Sequence, residues 1–191
     1  MTALDYEISA PGQWIDWSDA APFLSAAGKV LNGEVYLLVF TTDQPMAEQE
    51  FIPTIYKALM HNDFGQAFYA AVRHYEGFEW EKEGGQSYHP PEQVDQISVE
   101  RLDAATVRQR LEWMLMGQEY FWSPYHHELD QEQANQLVDC LLLSFWIDPE
   151  YWAIVDSRAI DSLGYNDGFN DQILVAGAET YVAFLLSNGT D

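Results

Sequence analysis

The sequence predicts an α+β fold, helix-dominated with a small antiparallel sheet, and three observations predict it. Between Ile52 and Phe145, apolar residues recur at spacings of three and four, the period of helices that bury one face. After Pro149 the period changes, and short β-branched and aromatic runs alternate with polar turns. Ahead of both lies residues 34–41, EVYLLVFT, a β-branched and aromatic run that reads as a buried strand.

Taken in order, Asn32-Gly33 precedes that strand and either closes a hairpin with Lys29-Val30-Leu31 or caps a short helix running from about Ser18. Ile52, Ile55, Tyr56, Leu59 and Met60 mark the next helix, with Pro53 in its first turn, where a missing N–H is harmless. Asp63 reads as the N-cap of another, with Phe64, Phe68, Ala71, Val72 and Tyr75 on one face. Residues 79–93 contain Gly84-Gly85 and Pro90-Pro91 and read as a long polar loop. The expectation is one domain over residues 1–191, with this loop separating two lobes.

Beyond the loop, residues 98–116 carry Leu102, Thr106, Val107, Leu111, Met114 and Leu115 at helical spacing. A further helix begins at Asp130, where Gln133 completes a capping box, and buries Ala134, Leu137, Val138, Leu141, Leu142 and Phe145. Asp148-Pro149 ends it, because the residue before a proline avoids helical angles. Residues 151–155, 172–176 and 180–186 then read as strands, the last two joined by Gly177-Ala178-Glu179. No internal repeat or low-complexity tract occurs, which removes solenoids from consideration.

Charge narrows the function. Asp and Glu number 31 against 8 Lys and Arg, a net charge of −23 that repels nucleic-acid phosphates and anionic membranes and attracts basic proteins. The acids crowd toward the C-terminus: from Leu111 onward there are fourteen against one basic residue, Arg158. The N-terminal stretch carries Asp5 and Glu7 and no positive charge before Lys29, unlike a targeting segment, and no apolar run is long enough to span a bilayer. One cysteine, Cys140, forms no internal disulfide, so a reducing cytoplasm is the expected compartment.

Catalytic and metal constellations fare poorly. His126-His127-Glu128 is the densest cluster of potential ligands, but adjacent residues diverge on any regular element and the HExxH spacing is absent. Asp156, Asp161, Asp167 and Asp171 invite a calcium reading. Placing Gly168 at the glycine of an EF-hand loop puts Leu163 and Leu174 at ligand positions, so Asn166-Asp167-Gly168 is read as a turn. Cys140 lies among leucines and reads as a buried structural thiol. GxSxG, P-loop and GxGxxG signatures are all missing. Neither an enzyme nor a cofactor is expected.

Residues 119–128, EYFWSPYHHE, are the feature best suited to recognition. They gather aromatic rings and imidazoles around Ser123-Pro124 between two helices, and Tyr and Trp bury large areas at low rotamer cost. The candidate partner-binding residues are Tyr120, Trp122, Tyr125, His126, His127, Glu128 and Asp130, with Trp17 of the segment QWIDWSD. The bland alternative is that Phe121 and Trp122 cover the ends of two helices.

Acidity, seven tryptophans and missing chemistry, together with a tail reading YWAIVDSR and then DGFNDQILVAGAETYVAFLLSN, resemble the cytoplasmic immunity proteins that bacteria co-produce with polymorphic or contact-dependent toxins. The tail looks like the closing strands of several such families. The resemblance implies one tight partner, a toxin domain whose active or substrate-binding surface is occluded. A basic surface on that partner, no direct nucleic-acid binding and no membrane association complete the expectation. Two other readings stand beside it: an acidic DNA mimic or adaptor, and an enzyme with a site around His126 and His127 or Asp167.

Overall fold

The structure, a computed structural model, describes residues 4–8, 15–42, 44–61, 92–121, 127–155 and 173–189. Asp16 opens the first helix: its carboxylate accepts from the Ser18 hydroxyl (2.6 Å) and the Ser18 N–H (2.9 Å). Those bonds hold its pKa below the usual carboxylate range. Helix α1, Trp17–Val30, buries Ala20, Phe23, Ala27 and Val30, a stripe at spacings of three and four. Pro22 is tolerated inside it on the exposed side, early enough to forfeit only the bond to the first turn. Asn32 then takes a left-handed φ of 49°, which settles the choice left by Asn32-Gly33: the pair ends a helix and does not turn a hairpin.

Strand β2, Gly33–Thr42, follows at once and is the second strand from one edge of a six-stranded antiparallel sheet of order β1-β2-β6-β5-β4-β3. The others are β1 (Leu4–Ile8), β3 (Val99–Leu102), β4 (Glu150–Ile154), β5 (Ile173–Ala178) and β6 (Tyr181–Gly189). β5 and β6 form a hairpin whose turn is Glu179-Thr180, one step later than the glycine suggested, with Ala178 facing Tyr181. β2 pairs with β6 from Gly33 to Thr41, Leu38 facing Phe184. That pairing joins the β1–β2 pair to the remaining four strands.

Four α-helices are found among the described residues, and they divide between the two sheet faces. Residues at alternate positions of a strand point to opposite faces, so Val35, Leu37 and Val39 meet one set of partners and Leu38 and Phe40 another. On the first face lie α1, α3 (Ala104–Met116) and α4 (Gln131–Leu143), packing Phe23, Leu111, Leu115 and Val138 onto Ala176, Tyr181, Ala183 and Leu185. Helix α2, Phe51–Met60, covers part of the second with Phe51, Ile55, Ala58 and Leu59 against Phe40, Trp152, Ile154 and Phe184. Gly177 lets the Phe51 ring reach the backbone, the ring settling on Trp152 at a centroid distance of 4.8 Å.

Two helix boundaries depart from the sequence reading. The helix expected from Ser98 begins at Ala104, because residues 99–102 pair with β4 as an edge strand and Asp103 provides the cap, accepting the Thr106 N–H at 2.7 Å. That backbone bond is the main reason Asp103 titrates below its ordinary value. Helix α4 starts where expected but stops at Leu143, well before Asp148-Pro149. Ser144 stops it: its N–H is shared between the Cys140 and Leu141 carbonyls and its hydroxyl donates to Leu141 O (2.6 Å), after which Ile15 and Phe145 form an isolated β-bridge. Cys140 is half-buried on α4, not enclosed among the leucines. The helix expected from Asp63, nearly all of the polar loop, and the Asp156–Asp171 cluster lie outside the described residues.

Candidate partner-binding surface

The segment between α3 and α4 is where the sequence placed recognition. Gly117 ends α3 with φ of 61°, and a Cβ there would come within 2.7 Å of Glu128 Cγ, so the two ends of the connector touch. Glu119 is also left-handed (φ 54°) and starts a short 3-10 turn, Glu119–Phe121. The chain returns at Leu129, whose N–H donates to Leu115 O at 2.9 Å. This binds the base of the connector to α3.

Of the predicted residues, His127, Glu128 and Asp130 lie on the surface. Asp130 caps α4, accepting the Gln133 N–H at 2.9 Å, while Gln133 Oε1 accepts the Asp130 N–H at 3.4 Å. Phe121 is 5% exposed and belongs to the core, so for that ring the helix-covering reading holds. Trp17 is half-buried against the same core, and its indole nitrogen is buried without a hydrogen-bond partner. Trp122, Tyr125, His126 and the side chain of Tyr120 lie outside the described residues.

His127 borders an open groove of about 1170 Å³ between α1, the start of β2 and α4. Leu24, Ala26, Leu129 and Leu137 supply its apolar walls, and Lys29, Gln133 and Gln136 its polar ones. Among the described residues no group of three or more His, Cys, Asp or Glu side chains could hold a metal ion, and no helix is long and apolar enough to cross a membrane.

The arginines carry the clearest electrostatic pattern. Arg101 bridges Glu48 (2.7 Å) and Glu150 (2.9 Å), Arg110 lies 3.7 Å from Glu100, and Arg108 pairs with Asp139 and, at 3.7 Å, with Glu112. All three described arginines are therefore engaged by the chain's own carboxylates. Hydrogen bonding to Asp139 raises the Arg108 pKa further, keeping that guanidinium charged and occupied.

A second surface feature was not singled out by the sequence. Leu143 is 75% exposed and Trp146 63%, the largest values among the exposed large apolar side chains of the described residues. Both lie beyond the buried face of α4, which is defined by Ala134, Val138 and Leu141. The signal was present in the spacing: Leu143 falls four residues after Asp139, on the charged side of the helix.

The backbone beneath them is fixed from several directions. The Asp16 N–H donates to Ser144 O (2.7 Å), Phe145 turns inward and stacks on Tyr181 (6.1 Å between centroids, 4° between planes), and the Tyr181 hydroxyl donates to Ile147 O (3.0 Å). Burial raises the Tyr181 pKa strongly and pushes that of neighbouring Tyr151 up to about 12, with the Asp148 carboxylate adding to both.

Comparison with known protein families, curated proteins and solved structures finds no match for this chain.

Proposed function

We propose that this protein neutralises a cognate toxin by binding a basic surface on it and occluding the active or substrate-binding site. The observation that carries the reading is electrostatic. A net charge of −23 is combined with three arginines, Arg101, Arg108 and Arg110, that among the described residues are each held by a carboxylate of the same chain. A surface of that kind offers carboxylates to a partner and withholds guanidinium groups from phosphates. It suits an inhibitor of an enzyme that grips a polyanion, because such an enzyme displays Lys and Arg where its substrate lies. Long-range attraction then speeds the encounter, and apolar contacts slow dissociation.

The test is co-expression with the proteins encoded beside it. One of them is expected to arrest growth alone and to be harmless together with this chain. The purified pair should associate at a rate that falls about tenfold or more between low and physiological salt. If none of the co-encoded proteins is toxic, or a toxic one stays toxic in the presence of this chain, the proposal fails.

A further inference from the structure

We infer that Trp146 and Leu143 form a preorganised apolar anchor that seats in a hydrophobic socket on a basic protein partner. The inference rests on the proposed partner-binding function and names the surface that carries it. Leu143 and Trp146 are both exposed and three residues apart, so their Cα atoms lie within about 11 Å of each other. Tryptophan contributes large contact area at low rotamer cost, and exposed apolar groups grouped in this way mark interaction sites more often than singly scattered ones.

Rigidity separates this patch from an incidental exposure. Ser144 receives the Asp16 N–H, Phe145 is clamped between the Ile15 bridge and the Tyr181 ring, and Ile147 O is held by the Tyr181 hydroxyl. Trp146 is thus presented by a backbone fixed on both sides of it, so little of the ordering cost remains to be met on binding.

Charge identifies the occupant. Asp139 lies one helical turn before Leu143 and Asp148 two residues after Trp146, both exposed. Arg108, the cation facing Asp139, is shared with Glu112. A second copy of this chain would bring the same carboxylates and a further −23 to the contact, which opposes self-association. A basic protein meets the same rim with opposite sign.

The co-encoded toxin identified by co-expression is the probe. Trp146→Ala and Leu143→Ser, each on the exposed surface, are expected to leave the melting temperature nearly unchanged and to weaken that complex roughly thirty-fold or more, mainly through faster dissociation. Exposed apolar residues elsewhere, Ile52→Ser and Val94→Ser, serve as controls and should change affinity less than about threefold. Wild-type affinity in both anchor variants overturns this inference while leaving the proposed function standing. Failure of the wild-type chain to bind any co-encoded protein overturns both. A Trp146-dependent homodimer in sedimentation would also overturn it, assigning the patch to self-association.

Discussion

Tyr181→Ala is expected to cost about 3–5 kcal/mol of folding stability, a large share of the roughly 5–15 kcal/mol a domain possesses. The ring is fully buried between the sheet and the α4 terminus, and its removal takes away the surface on which Phe145 stacks. The hydroxyl makes a separate contribution. Tyr181→Phe leaves the Ile147 carbonyl without its 3.0 Å donor and should cost about 1–2 kcal/mol. Urea unfolding of the two variants separates packing from hydrogen bonding, and equal losses would show that this division is mistaken.

The same residue gives an alkaline signature. Burial raises the folded pKa of Tyr181, and that of Tyr151 to about 12, above the ordinary 10.0. Both phenols therefore stabilise the fold in their neutral form: the contribution is complete below pH 10.0 and is lost as pH rises through the folded values. Tyrosinate absorbance and loss of ellipticity should rise together above that pH. Tyr181→Phe should retain the ellipticity change of Tyr151 but titrate one buried phenol fewer.

Gly177→Val should be the second severe change, costing about 3 kcal/mol, because a Cβ would lie 3.1 Å from both Phe51 Cδ1 and Trp152 Cζ3. Neither atom is the loose end of a flexible chain: the two rings are packed on each other at 4.8 Å inside the second core. The effect is steric, so shortening one neighbour should relieve it. In a double-mutant cycle, Gly177→Ala with Phe51→Leu is expected to cost at least about 0.5 kcal/mol less than the sum of the single changes. Strict additivity would place the strain elsewhere.

The helices were legible in the sequence because their cores are periodic. Ile55 and Leu59, Leu111 and Leu115, and Val138 and Leu141 repeat at helical spacing and are all buried. Caps were legible where the acid and its partner sit three apart, as in Asp130 and Gln133. Less legible were features made by distant contacts. Residues 99–102 become an edge strand through pairing with Tyr151, Trp152, Ala153 and Ile154, and the chain beyond Ser144 turns inward at Phe145 through its bridge to Ile15. No local signal encodes either.

The surface divides in the same way. His127, Glu128 and Asp130 are exposed on the connector, as expected of polar residues between two helices. Trp17, with equal aromatic character, lies half-buried against the core, since composition does not distinguish an anchor from a packing residue. The exposure of Trp146 depends on an isolated bridge that fixes Phe145 inward, and no window of sequence around residue 146 includes Ile15.

The pairing of β2 with β6 has a consequence for synthesis on the ribosome. Leu38 emerges early, yet the strand that flanks it on the inner side contains Phe184 and emerges after every other strand. Until then β2, with Leu37, Leu38, Val39 and Phe40 in succession, has an unpaired inner edge, the kind of apolar edge that recruits chaperones or neighbouring nascent chains. Closure must wait for contacts between residues far apart in sequence, which makes folding slow relative to helical proteins of similar stability. The long delay before β6 arrives sets the interval in which this chain is most exposed to aggregation.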